Sequence, residues 1–407
     1  MTPAIQKLRL FQMAPLGNKQ FPVARVLLCL LVAILLPLAY GQSRSRAGAQ
    51  TNSRKKSPGP SAQRKNSAAS PSPSPTPSWL DRLGEPPPPP PRPSPTSEQQ
   101  ISPGDVISVE TTEVMLPVTV RDSNGRLVTA LTRDDFHVFE DNREQPLRDL
   151  ALRQVPVDAI LMVDSSSSTA RNLDDFRRAA EGFAERLSPD DRISLIKFDD
   201  SVQLLQDWTK SRFQLQRALT RISPGMFTRF NDALLLAARE QYGSSQSRRA
   251  VIVLTDGIDS GRGTTLESAA RALLEAQVTV YVVSNTEISR AEKLAALDSL
   301  MKGTDASQRF NKLQIDDLRA GLRALDESEQ TLEQLTAATG GRLYKPRSFD
   351  DLEATYAEVS EELRHQYALY YTPLNRTRDG GFRRVRVEAT NPSYETHTRI
   401  GYFAPRS

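Results

Sequence analysis

Three short stretches place oxygen-bearing side chains where they could hold a hard cation. The first is Asp164-Ser165-Ser166-Ser167-Ser168, directly after the apolar run Ala159 to Val163. Thr228 is the second, and Thr255-Asp256-Gly257, directly after the apolar run Ala250 to Leu254, is the third. Among them Asp164, Ser166, Ser168, Thr228 and Asp256 offer two carboxylates and three hydroxyls, a donor set that suits Mg2+ or Mn2+. With only two acids among neutral hydroxyls, such a cation is partly uncompensated and open to a further anionic ligand from outside. That is the chemistry of docking.

Other chemistries find little support. The only cysteine, Cys29, lies in an apolar N-terminal run, so a disulfide scaffold, a thiolate zinc site and a cysteine nucleophile are all excluded for a chain that has lost that run. His137, His365 and His397 are far apart, and none sits in an HExxH-type spacing. No GxSxG elbow occurs for a serine hydrolase.

The elements that must position the oxygen groups are legible around them. The runs Ala159 to Val163, Ala250 to Leu254 and, but for Thr279, Val278 to Val283 are apolar, as strands buried on both faces require. Stretches with apolar residues at three- and four-residue spacing separate them: about Asn172 to Leu187, Asn231 to Tyr242 and Thr265 to Gln277. Arg192 to Phe198 runs through a short polar turn into Val202 to Trp208, the spacing of an antiparallel edge hairpin. The pattern predicts an α/β fold with an open, doubly wound, mostly parallel sheet, which binds ligands beyond the carboxyl ends of its strands. All three oxygen-rich stretches fall there. Asp199, Asp200 and Asp259 read as solvated turn residues, with a supporting carboxylate near Asp256 as the other reading of Asp259.

A segment at 288–328 is longer than an ordinary crossover. Leu294, Leu297 and Met301, then Ile315, Leu318, Leu322 and Leu325, describe two amphipathic helices inserted in the domain. Either they simply pack, or they form a rim beside the cation site that helps choose a partner.

Both flanks of the α/β segment alternate as strands do. Val114, Leu116, Val118 and Val120 mark one strand, Ser123-Asn124-Gly125 a turn, and Phe136, Val138 and Phe139 another strand, with a second turn at Glu140 to Arg143. At the other end Tyr367 to Tyr371, Phe382 to Ala389 and Thr396 to Phe403 read as strands. Neither flank is large enough alone to bury much surface. The expectation is a β-rich flanking module built from an N-terminal part, 104–152, and a C-terminal part, 364–407, with the α/β domain, 153–363, inserted between them.

The 407-residue chain carries 53 Lys and Arg against 49 Asp and Glu, a net charge of +4, but the sign is uneven along it. Residues 1–40 contribute +4 and residues 41–103 contribute +6, leaving −6 over the remaining 304. The folded part therefore shows no basic footprint for nucleic acid. Basic residues Lys7, Arg9, Lys19 and Arg25 precede the apolar run Val26 to Leu38, and Ala39 and Gly41 are small, so 1–41 reads as a signal peptide. Thirteen apolar residues interrupted by Pro37 are short of the ~20 that span hydrocarbon, so no stable membrane span is expected after cleavage. Residues 42–103, with PSPSPTPS and six prolines from Pro86 to Pro91, read as a disordered, basic Pro/Ser-rich linker. Export to the periplasm, the cell envelope or the medium follows.

Asp164-x-Ser166-x-Ser168, the distant Thr228 and a strand ending in Asp256-Gly257 resemble the metal-ion-dependent adhesion site (MIDAS) of the von Willebrand factor A domain. More widely, Leu116-Pro117-Val118-Thr119-Val120, Leu131-Thr132-x-Asp134-Asp135-Phe136-x-Val138-Phe139-Glu140-Asp141 and Gly401-Tyr402-Phe403-Ala404-Pro405 are similar to bacterial VWFA-related-domain proteins, over most of residues 106–405. The resemblance implies that Ser166 and Ser168 ligate the metal directly, Thr228 directly or through water, and Asp164 and Asp256 largely through water. A protein partner's Asp or Glu carboxylate then completes the shell, giving adhesion or assembly and not turnover. One departure stands out: the family usually has Gly-Gly before the threonine, and here Met226-Phe227 precedes Thr228. Phe227 and Asp259 are candidate partner contacts. The alternatives are a structural interaction module with a vestigial metal site and a Mg2+-dependent hydrolase or phosphotransferase of the haloacid-dehalogenase type. The last needs a second acid where Ser166 stands.

Overall fold

A computed structural model describes residues 113–152, 155–167, 172–242, 247–261 and 263–406. The proposed signal peptide and linker lie outside these residues. Strands β1 (Val114–Arg121), β2 (Phe136–Glu140), β3 (Arg143–Gln145) and β4 (Leu147–Leu152) come first. The β2–β3 turn is two residues long, and both Asp141 and Asn142 have positive φ, 48° and 64°, which is the mirror-image turn that matches strand twist in a tight hairpin.

The central sheet follows. It contains β5 (Val157–Asp164), β6 (Arg192–Phe198), β7 (Val202–Thr209), β8 (Arg248–Thr255), β9 (Thr279–Ser284) and β10 (Leu343–Tyr344), in the order β10-β9-β8-β5-β6-β7. All neighbours are parallel except the β6–β7 edge hairpin. Every residue of β5 is buried because both faces are covered. Val157, Ala159, Leu161 and Val163 pack against α1 (Leu173–Arg186), α2 (Arg212–Leu219) and α8 (Leu352–His365). Ile160 and Met162 share the opposite core with α3 (Phe230–Leu236), α4 (Leu266–Glu275) and α7 (Lys312–Thr339). Each such Val, Leu or Phe buried in full contributes about 1.5–3 kcal/mol, so the two layers dominate the stability of this part.

Three helical features differ from the sequence reading. Helix α2 was not anticipated; it is short, and its start is fixed by Ser211, whose hydroxyl accepts from Gln214 N. Helix 231–242 becomes α3 followed by a wide π turn, Ala237–Gln241. The segment after β9 holds three helices, α5 (Thr286–Met301), α6 (Asp305–Phe310) and α7, and α7 does not stop at Ser328. It runs to Thr339 because Leu332, Leu335 and Ala338 are the residues that bury against the sheet, and Gly340, at φ 77°, ends it in the left-handed conformation.

The last strands are β11 (Tyr367–Tyr371), β12 (Phe382–Ala389), β13 (Glu395–His397) and β14 (Gly401–Phe403). Two four-stranded antiparallel sheets result, β13-β1-β11-β4 and β14-β12-β2-β3, each mixing both ends of the chain. They share one core of Val114, Leu116, Val118 and Val120 with Tyr367, Leu369, Tyr371, Phe136, Val138, Val385 and Val387. The expected flanking module is thus a β-sandwich. The stretch 396–403 read as one strand is in fact two strands in different sheets. Between them Ile400 N donates to Ala338 O (3.0 Å) and Thr398 Oγ1 to Pro117 O (2.8 Å), which turns the chain from one sheet to the other.

Inside the sandwich, Glu140 is buried and accepts from the hydroxyls of Tyr371 (2.7 Å) and Tyr402 (2.8 Å). Burial pushes its carboxyl above the ordinary range, against the pull of those two donors. Tyr371→Phe removes one of them and is expected to cost about 1.5–3 kcal/mol, the range for a hydrogen bond to a charged group. Urea unfolding checks this, and a loss below about 0.5 kcal/mol would show that Tyr402 alone satisfies the carboxylate.

Candidate functional site

The carboxyl ends of β5, β6 and β8 converge at one edge of the sheet. Asp164 ends β5 and is wholly buried. Its Oδ1 accepts from Ser166 N (2.9 Å), which folds the chain into a tight turn, and its Oδ2 accepts from the hydroxyl of Thr255 at the end of β8 (2.8 Å). That hydroxyl oxygen also accepts from Gly257 N (2.9 Å), so Thr255 couples the first loop to the third. Thr255 was missed as a site residue, although its place between the apolar run and Asp256 marked it.

Asp256 is buried, and its Oδ1 accepts from Ile258 N (3.1 Å). Its backbone carbonyl accepts from the Ser328 hydroxyl of α7. Gly257 has φ 72°, and a Cβ there would lie 2.6 Å from Ser328 Oγ and 2.7 Å from Leu332 Cδ1, so this turn requires glycine on both counts.

Thr228 is buried on the loop before α3. The backbone stitches this loop to both neighbours: Gly225 N donates to Ser165 O (2.8 Å), and Ser260 N donates to Thr228 O (2.9 Å). Asp259 is not a free turn residue. Its oxygens accept from Phe230 N (3.0 Å), Asn231 Nδ2 (2.7 Å) and Gly261 N (3.2 Å), capping the start of α3, and burial pushes its carboxyl above the usual range. Phe227 and Met226 are exposed, at 60% and 73%, beside the buried Thr228. Ser168 lies outside the described residues.

Does this edge suit a divalent cation? Among the described residues no cluster of three or more His, Cys, Asp or Glu side chains could hold a metal, so the donors here are two carboxylates with hydroxyls. Burial, and then the nearby charge of Asp256, push the Asp164 carboxyl from 3.8 to about 6. The hydrogen bonds that pull it back come from Ser166 and Thr255, both neutral. A buried anion beside another anion is the environment that a hard cation relieves. Asp164, Ser166, Thr228 and Asp256 fit such an ion in donor type and in placement on adjoining loops.

The von Willebrand factor type A domain family matches residues 158–358. This segment is a von Willebrand factor A domain. Its six-stranded, mostly parallel sheet flanked by helices agrees with that family's fold class. Among solved structures, the chain is similar to mussel byssus proximal thread matrix protein 1 with a zinc-occupied MIDAS motif, at 16% identity over 54% of this chain and 48% of that one, TM-score 0.39. It is similar to the von Willebrand domain of a type V pilus tip protein from Porphyromonas gingivalis, at 12% identity over 51% and 95%, TM-score 0.37. A von Willebrand factor type A protein from Catenulispora acidiphila matches at 10% identity over 74% and 75%, TM-score 0.40. The chain spans about half the length of the mussel protein. No curated protein matches it.

His137 lies in β2 against Glu144 (2.8 Å), His365 at the end of α8, and His397 in β13. All three are away from the carboxyl edge of the A domain. Among the described residues no helix is long and apolar enough to cross a membrane.

Proposed function

We propose that this is an exported protein whose A domain binds a protein partner through a divalent cation, Mg2+ or Mn2+. Asp164, Ser166, Ser168, Thr228 and Asp256 would hold the ion, and an Asp or Glu carboxylate of the partner would complete its shell. When bound, the cation supplies a positive charge that attracts that carboxylate. The chain's own residues do the rest: Thr255 and Ser166 N orient Asp164, and the burial of all four described donors limits access to one outside ligand. The activity is adhesion or assembly.

The observation that carries this reading is the wholly buried Asp164, at the end of β5 and raised to about 6 by burial and by Asp256 beside it. A-domain membership supports a protein-interaction role. The helices α5 and α7 support a role in choosing the partner. They pair through Arg290, which bonds Asp326 (2.9 Å) and Glu329 (2.8 Å), and Ser328 reaches the Asp256 loop. The part of α7 before Ser328 is about 24 Å long at 1.5 Å per residue, and would form a rim beside the carboxyl edge. The signal peptide at 1–41 and the linker at 42–103 would carry the folded part across the membrane and hold it clear of the surface. The exposed Met226-Phe227 pair, in place of two glycines, favours a second reading, a structural interaction module with a vestigial metal site.

Calorimetric titration of Mg2+ and Mn2+ into the full chain separates the two. Saturable binding is expected, and Ser166→Ala and Asp256→Ala are each expected to weaken it at least tenfold, about 1.4 kcal/mol. A wild-type chain that takes up neither ion would leave the vestigial reading standing.

A further inference from the structure

The turn between β6 and β7 lies outside the donor set, yet it holds two of the donor loops. Asp199 is buried, and its Oδ2 lies 2.6 Å from Lys197 Nζ, itself buried, and accepts from the Ser165 hydroxyl at 2.9 Å. Its Oδ1 accepts from Ser201 N (3.0 Å), which closes the turn. Gly225 sits directly against it: a Cβ at that position would lie 2.5 Å from Asp199 Cβ and Cγ. Asp200 is exposed, and its two oxygens accept from Met226 N and Phe227 N, both at 3.1 Å. One dipeptide thus grips Ser165, the neighbour of Ser166, and residues 225–227, the approach to Thr228.

We infer that Asp199 and Asp200 are positioning residues of the cation site: they set the Thr228 loop against the Ser166 loop without ligating the ion themselves. The inference rests on the proposed metal-binding reading. Its physical content is preorganisation. A loop bearing bulky Met226 and Phe227 in place of glycines cannot close by collapsing onto itself, and a short loop with both apolar side chains in water has little packing to order it. Hydrogen bonds from two successive amides to one carboxylate supply that order, each charge-assisted. When the loop is ordered in only a fraction of molecules, the apparent Kd for the ion rises by the inverse of that fraction.

Asp200 is the informative position because it is exposed and its removal leaves the buried Lys197–Asp199 pair intact. The test compares wild type, Asp200→Ala, Asp200→Asn and Asp164→Ala in the full chain, with Mn2+ alone as the probe. Calorimetry gives Kd, thermal melting without metal gives stability, and amide hydrogen exchange reports on residues 225–228. Asp200→Ala is expected to raise the Mn2+ Kd about tenfold, as a loop ordered one-tenth of the time would. Losing that order costs the metal-free protein about 1.4 kcal/mol, so its midpoint should fall by about 3–6 °C and no further. Exchange at 226 and 227 should quicken, and Asp200→Asn, which keeps one carbonyl acceptor, should fall between. An unchanged Kd in Asp200→Ala overturns the assignment while leaving the metal site standing. A much larger drop in the metal-free midpoint, with exchange quickened across the whole sheet and not at 225–228 alone, also overturns it, since the turn would then be merely structural. Wild type that binds no Mn2+, like Asp164→Ala, removes the metal reading and this inference together.

Discussion

Asp164→Asn is expected to make the metal-free protein more stable at pH 7 and, at the same time, blind to divalent cations. In the folded chain burial and Asp256 raise this carboxyl from 3.8 to about 6. Holding it ionised at pH 7 therefore costs about 3 kcal/mol relative to the unfolded chain, at 1.36 kcal/mol per unit. Asparagine removes the charge in nearly the same volume. Its carbonyl can still accept from Ser166 N, but the group facing the Thr255 hydroxyl no longer accepts, which returns about 1–2 kcal/mol. The net gain is about 1–2 kcal/mol, or several degrees in the melting midpoint at about 2–4 °C per kcal/mol. Wild type gains about 2.7 kcal/mol from an ion at one hundred times its Kd, and Asp164→Asn should gain nothing. Thermal melts with and without Mn2+ check both halves.

The same group gives the metal-free wild type a pH signature. Between about pH 4 and 6 the folded chain holds a proton on Asp164 that the unfolded chain has released, so stability falls as pH rises through this window and levels off above it. Asp164→Asn should lack this fall. A substituted protein that melts below wild type at pH 7 without metal, with the same pH slope, would mean that Asp164 is not a strained buried anion, and the main support for the cation would go.

Gly340→Ala is expected to be a costly single-methyl change, because backbone conformation and packing both oppose it. Gly340 ends α7 at φ 77°, where an alanine costs about 1–2 kcal/mol. Its Cβ would also stand 2.6 Å from Thr398 C and closer still to Arg399 N, backbone atoms of the segment that docks the C-terminal strands. Overpacking of this kind costs about 1–3 kcal/mol, so the sum is about 2–5 kcal/mol. Gly125→Ala is the control: its φ of 76° is nearly the same, but nothing lies within 4 Å of its Cβ. Urea unfolding should show the conformational cost alone at Gly125 and about twice that or more at Gly340. Equal losses would show that the C-terminal segment yields freely and is not tightly docked.

Much of the framework was legible because its signals are local. The bounds of β6, β11 and β12 were read as they stand, since alternation and turn residues mark their ends within a few positions. The apolar runs ending in Asp164 and before Asp256 placed both carboxylates at strand ends. Where the reading failed, the deciding contact came from far along the chain. Residues 396–403 alternate like one strand, but bonds to Ala338 and Pro117 divide them between two sheets. Helix α7 continues past Ser328 because the sheet beneath it offers a surface to Leu332 and Leu335. Asp199, Asp200 and Asp259 look like ordinary turn acids, and only the approach of loops 26 to 34 residues away converts them into fasteners.

The sequence by itself determined which side chains stand at the carboxyl ends of the strands and that they carry oxygen alone, because strand ends and residue types are local properties. The tertiary structure decided that Asp164 is shut away from water beside Asp256, that Thr255 bridges two loops, and that the Thr228 loop is gripped from both sides. A carboxylate's charge state depends on its solvent and its neighbours, and both are supplied by segments that meet only when the chain has folded.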